Sequence, residues 1–176
     1  RQDLADLKGD LFKSKRNAVN HVVKNYASEY VLFERSMAEE CSALYDLWAK
    51  EKMAAVQEEM HRMMIEDNRL VHRRVLEHFR ELGIVGRVLK IDGKVAAYTF
   101  GYFLTKEIFC DLLEIADPRL KGAATYIFWQ ICNDPLLRYA KFINVMDDAV
   151  PQSVNLTKLS FRPAVMLPVY TAAEKF

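Results

Sequence analysis

No apolar run in this chain is long enough to cross a bilayer. The longest, Val95–Leu104, is interrupted by Thr99 and Gly101, whereas a spanning helix needs about 20 apolar residues. No secretory signal opens the sequence. Cysteine is scarce. Cys41, Cys110 and Cys132 are odd in number and show no Cys-x-x-Cys spacing, which argues against a disulfide framework or a thiolate zinc site. They fit reduced thiols packed as small hydrophobes in a cytoplasmic protein. With six Gly and five Pro, four of the latter after residue 130, there is no linker and no low-complexity tract. Charge of either sign is not in excess: the formal net charge is +1, unlike the strongly basic balance of a dedicated duplex-DNA binder.

What is present is core. The apolar share is 51%, with ten Phe and eight Tyr in 176 residues, which excludes disorder and suits one domain over residues 1–176. Phe12, Val19, Val22, Val23 and Tyr26 share one helical face, opposite Lys13, Arg16, Asn17, Asn20, His21 and Lys24. A strand is expected at Tyr30–Glu34. Ser36 with Glu39 has the spacing of a capping box, followed by helices near 37–52 and 55–82, the second ending at Gly83 as the residue past the helix. Arg87–Ile91, Asp92-Gly93 and Val95–Phe103 read as a hairpin with a type I′ turn. A strand at Ile108–Ile115, a helix at 122–133, a strand at Phe142–Met146, a helix at 153–160 and a last strand at Val165–Thr171 complete the chain. Sequential antiparallel strands followed by one helical crossover predict a mixed, mostly antiparallel sheet of α+β class.

Several residues invite chemistry. Arg119, Gly122 and Ala124 spell Arg-x-x-Gly-x-Ala between a strand and a helix; small residues there let backbone N–H groups close on a phosphate, or let the helix pack tightly. Glu114 sits in the apolar strand leading into that loop, and Asp147-Asp148 end the next strand. An acid at such a crevice suits removal of a proton from an acceptor amine. A lysine partner for Glu114 and a solvated turn for the two aspartates are the blander readings. Lys13, Lys15 and Arg16 cluster within one turn, as a phosphate or carboxylate site or as the wet side of a helix. Glu58 and His61 have the Glu-x-x-His spacing of di-iron bundles but lack a second pair, so no metal is expected. Met53, Met60, Met63 and Met64 read as core filling. Asp67 falls in the stripe of Met60, Met63, Met64, Val71 and Val75, either buried and paired or at its edge.

The element order and Arg119-x-x-Gly122-x-Ala124 resemble the N-acetyltransferase (GNAT) fold. Its equivalent loop holds a coenzyme A pyrophosphate. Leu7–Tyr26, Glu81–Gly101, Glu114–Phe128, Phe142–Asp148 and Thr157–Thr171 resemble an uncharacterised bacterial family related to the C-terminal domain of phosphatidylglycerol lysyltransferases. Lys13-x-x-Arg16-Asn17 is also similar to Fem-type aminoacyltransferases. The resemblance implies a tandem GNAT-like protein of which this chain, opening on Arg1, is the second half, with residues 1–28 as the linking helix and 29–176 as the core. It implies transfer of an acyl or aminoacyl group, without metal or tightly bound cofactor, from acyl-CoA or charged tRNA to a lipid, peptide or small-molecule acceptor. Glu114 and Asp148 would be catalytic; Arg119, Lys121, Gly122, Ala123 and Ala124 would hold the donor; Lys15, Arg16, Lys158 and Ser160 would bind substrate. The pattern departs at Phe161, where relatives carry Tyr, and at Ala18, where they carry His. A binding or structural module whose loop only packs is the alternative function.

Overall fold

A computed structural model describes residues 1–146, 152–168 and 170. The elements are α1 (Gln2–Asp6), α2 (Lys13–Asn25), β1 (Ser28–Leu32), α3 (Ala38–Ala55), α4 (Glu59–His78), β2 (Val85–Ile91), β3 (Lys94–Thr105), β4 (Ile108–Ala116), α5 (Ala123–Asn133), β5 (Phe142–Asn144) and α6 (Gln152–Leu159). One five-stranded sheet runs in the order β1-β2-β3-β4-β5. The first four strands are antiparallel neighbours, and β5 joins β4 in parallel after the α5 crossover. The α+β mixed sheet read from the sequence is therefore present.

The β2–β3 hairpin turns at Asp92 (φ 51°) and Gly93 (φ 77°), with Ile91 facing Lys94. Positive φ at both central residues defines the type I′ turn, whose twist matches the strands. Gly83 (φ 64°) ends the turn after α4. Its N–H reaches Arg80 O at 3.1 Å and Ile84 N–H reaches Phe79 O at 3.0 Å, the paired bonds of a Schellman motif.

Helices cover both sheet faces, so the central strands bury alternate residues on both sides. Val88, Tyr98, Phe100 and Ile115 pack under Cys41, Leu44, Tyr45, Ile65 and Leu76 of α3 and α4. On the other face Leu89, Ile91 and Ala97 meet Val19, Val22, Ala123 and Ile127, while Phe109 meets Phe128, Ile131 and Leu137. Within the first layer His72 Nδ1 lies 2.8 Å from Tyr98 Oη, and burial lowers the imidazole pKa to about 3. Cys41, Cys110 and Cys132 are all free and buried, and burial pushes the Cys41 and Cys132 thiols up to about 12.

A buried ion pair links the second layer to the sheet. Asp134, at the end of α5, accepts from Arg87 Nε at 2.5 Å and Nη2 at 3.2 Å, from Tyr30 Oη at 3.1 Å and from Leu136 N–H at 2.8 Å. Burial, then the Asp134 charge, raises the Tyr30 phenol.

Five local expectations are corrected. α3 starts at Ala38 with Met37 before it and no side-chain cap; Ser36 lies inside a 3-10 turn, Arg35–Met37, where Arg35 donates to Glu77 O. The first strand starts earlier, because Ser28 already faces Ile91 beside the hairpin turn. Met60 and Met63 are not core: they are 71% and 57% exposed on the outer side of α4, and Asp67 is exposed beside them. β5 stops at Asn144, whose Oδ1 accepts Met146 N–H at 2.9 Å; this side-chain turn, with Met146 at φ 61°, ends the ladder. Val165–Pro168 lie outside any strand; Pro163 and Pro168 bracket them with residues that cannot donate to a ladder. The rest of that expected strand, except Tyr170, falls outside the described residues.

Candidate functional site

β5 is short. It pairs with β4 only at Phe142–Asn144 against Ile108–Cys110, so from Asp111 to Ala116 β4 has no partner on that side among the described residues. A bulge lies at this parting point: Gly101 faces Asp111 and Phe100 faces Leu113, leaving Leu112 unmatched. The extra residue breaks the two-residue alternation, so Asp111 and Glu114 share the face that looks toward α5. Thr99, opposite Glu114, donates from Oγ1 to Asp111 Oδ1 at 2.6 Å.

Glu114 is partly open along its side chain, yet its Oε2 is sealed from solvent and has no hydrogen-bond partner among the described residues. No lysine pairs with it among those residues. Burial, and then the charge of Asp111, hold its carboxyl well above the usual carboxylate range. Burial raises Asp111 too, opposed by the Thr99 hydrogen bond and the charge of Lys158. Two acids sharing one low-dielectric face favour a single negative charge between them. Asp111 was not among the residues singled out from sequence.

Lys158, near the end of α6, donates to Met146 O at 3.4 Å within charge range of Asp111. Lys15 Nζ donates to Ser160 Oγ at 2.7 Å and lies 3.6 Å from the centroid of the Phe161 ring, which packs edge-on against Phe128 at 4.7 Å. Partial burial lowers the Lys15 pKa. Arg16 binds Gly9 O at 2.5 Å and also Leu7 O, fixing the turn between α1 and α2. Among the described residues, then, Glu114 and Lys158 gather around Asp111, Lys15 and Ser160 meet at the α2–α6 contact, and Arg16 serves the chain itself. Asp148 lies outside the described residues.

The loop with Arg119, Lys121, Gly122, Ala123 and Ala124 begins where β4 ends. Asp117 clasps Arg119 through Nε at 2.9 Å, Nη2 at 2.6 Å and the backbone N–H at 2.9 Å. That bond to Arg119 keeps the Asp117 carboxyl below its usual range. Gly122 has φ 88°, and a Cβ on it would lie 2.7 Å from Ala18 O and 3.2 Å from Val22 Cγ2. The close approach it allows is to α2. Ala123 is buried in the same contact, whereas Lys121 and Ala124 are exposed. Gly122→Ala is expected to lower stability by about 1–3 kcal/mol, from strain at positive φ and overpacking against Ala18. Chemical denaturation that gives a midpoint equal to that of the parent chain would remove this packing role.

Among the described residues no group of three or more His, Cys, Asp or Glu side chains is placed to hold a metal ion. No described helix is long and apolar enough to cross a membrane.

A mixed sheet whose fourth and fifth strands part, with a crossover helix opening at the far end of the fourth, defines an N-acetyltransferase-like (GNAT) fold. The same fold is seen in a ribosomal-protein-alanine N-acetyltransferase from Brucella melitensis biovar Abortus 2308, with TM-score 0.56, 15% identity and coverage of 85% of this chain and 100% of that one. Residues 1–173 match the family described as "Phosphatidylglycerol lysyltransferase, C-terminal", and the chain belongs to that family. The C-terminal domain of a lysylphosphatidylglycerol synthetase from Agrobacterium fabrum superimposes with TM-score 0.53 at 16% identity, over 88% of this chain and 46% of that one. A conserved protein of unknown function from Bacteroides thetaiotaomicron VPI-5482 is 31% identical, with TM-score 0.77 over 94% of this chain and 54% of that one. This chain thus spans about half the length of that relative. No curated protein matches it. Fold and family together mark an acyl- or aminoacyltransferase-type domain.

Proposed function

We propose that the domain moves an acyl or aminoacyl group from a donor linked to tRNA or coenzyme A onto the amine or hydroxyl of a lipid, peptide or small-molecule acceptor. The observation that carries this reading is Glu114. It is a carboxyl with one buried oxygen that has no hydrogen-bond partner among the described residues, sharing a face with Asp111 where β4 and β5 part. One carboxylate of the pair takes the proton from the acceptor N–H or O–H as its new bond to the acyl carbon forms. The pair then returns a proton to the donor oxygen or sulfur as the old acyl bond breaks, so a shared proton serves both steps. Lys158 offers the nearby positive charge that keeps one member of the pair ionised, and phosphate or carboxylate groups of substrate are a second use for it.

A tRNA-linked donor is favoured by the surroundings of the loop. Arg119 is committed to Asp117 and the open side of Gly122 is filled by Ala18, which weighs against this glycine as a pyrophosphate cradle. The name of the matched family favours a lysyl group and a phosphatidylglycerol acceptor for this chain. Two parallel incubations separate the donors: one with charged lysyl-tRNA and phosphatidylglycerol vesicles, one with acetyl-CoA and amine acceptors. Labelled lipid in the first and none in the second is the expected result; transfer in neither would remove the catalytic reading and leave a binding module.

A further inference from the structure

The outer side of α4 carries an apolar stripe that stays exposed among the described residues. Met60, Met63, Leu70 and Val71 are 71%, 57%, 58% and 44% exposed, although Ile65, His72, Val75 and Leu76 of the same helix already face the core. Met60, Met63, Asp67, Leu70 and Arg74 follow one another at alternating spacings of three and four, the seam of a helix that packs against a second helix. Asp67 and Arg74 are exposed and enter no ion pair among the described residues, while their neighbour Arg69 is taken by Asp46 and Glu66. The helix therefore buries one apolar face against α3 and the sheet and leaves a second one exposed among the described residues.

The charge order on the stripe names the occupant. Asp67 stands about 4.5 Å before Leu70 and Arg74 about 6 Å after it along the axis, at 1.5 Å per residue. When two copies of α4 run antiparallel about a two-fold axis at Leu70, each Asp67 falls level with Arg74 of the other copy to within about one residue's rise. Leu70 and Val71 then meet their own copies at the centre. Parallel pairing in register would set Asp67 against Asp67, so the same charges select against it. An anionic lipid surface fits less well, because Glu59, Glu66 and Glu77 are interspersed with the arginines of this helix and would face the lipid charge.

We infer that α4 is the seam of a two-fold dimer of this chain, held by an apolar Leu70–Val71 centre and two reciprocal Asp67–Arg74 ion pairs. Sedimentation equilibrium of the full chain across the micromolar range tests it. The parent chain should show a monomer–dimer equilibrium. Asp67→Arg and Arg74→Asp should each weaken it on the order of tenfold or more by opposing like charges, and the double swap, Asp67→Arg with Arg74→Asp, should recover most of that loss. Both positions are exposed, and a circular-dichroism spectrum of each variant checks that it is folded. A parent chain that stays monomeric, a dimer indifferent to the single substitutions, or a double swap as weak as the singles overturns the inference. So does a monomer that cosediments with anionic vesicles through Met63 and Leu70, which would give the stripe to lipid.

Discussion

Glu114→Gln is expected to lower the transfer rate by about 10²–10⁴-fold, the usual contribution of a positioned acid or base, while leaving the fold intact. Gln keeps the shape of the side chain and cannot exchange the proton. The stability side has a sign of its own. Burial raises both Glu114 and Asp111 above their ordinary values of 4.5 and 3.8, so the folded chain retains protons that the unfolded chain has released. That contribution is fully present below those ordinary values and is lost as pH rises through the raised folded ones. The amide of the variant has no proton to lose, so its melting temperature should fall less than that of the parent between pH 4 and neutrality. Activity equal to the parent's would end the catalytic role; an unchanged pH slope would end the account of the buried pair.

Asp134→Ala is expected to be the most damaging single change away from that pair. It leaves Arg87, whose side chain is 10% exposed, as a buried charge without its partner, and strips Tyr30 Oη and Leu136 N–H of their acceptor. Breaking one side of a buried pair costs about 3–5 kcal/mol. For 176 residues that is roughly 10 °C in melting temperature. Replacing both partners with apolar residues of similar size, Arg87→Met with Asp134→Leu, should recover much of the loss, since the desolvation penalty goes with the charges. Thermal unfolding monitored by calorimetry would read both; a drop of only a degree or two for Asp134→Ala would show that the charge of Arg87 reaches water.

Much of the sheet was legible because its signals are local. Asp92-Gly93 supplies the positive φ at both central residues that a type I′ hairpin turn requires, and the apolar runs on either side fix β2 and β3. Glu114 stood out as an acid in an apolar strand. Asp111, three residues earlier, did not, because a two-residue period places positions 111 and 114 on opposite faces. Only the bulge at Leu112 brings them together, and nothing in the local sequence marks it. Arg87 and Asp134 are 47 residues apart, and their pairing depends on how α5 returns over β2. The small residues of the glycine loop were legible as a close approach. What they approach, Ala18 of a helix a hundred residues upstream, is a tertiary fact. The methionines of α4 misled for the opposite reason: their spacing is a true helical stripe, but periodicity does not say which of two stripes faces the core.

The three buried cysteines give the chain its own record of opening. Cys41 lies within α3, on one side of the sheet, and Cys132 within α5, on the other. A thiol sealed in this way reacts with an alkylating reagent only when its layer comes apart, so the two alkylation rates measure the lifetime of each layer separately. No probe needs to be introduced, and a substitution on one face can be followed for its reach to the other.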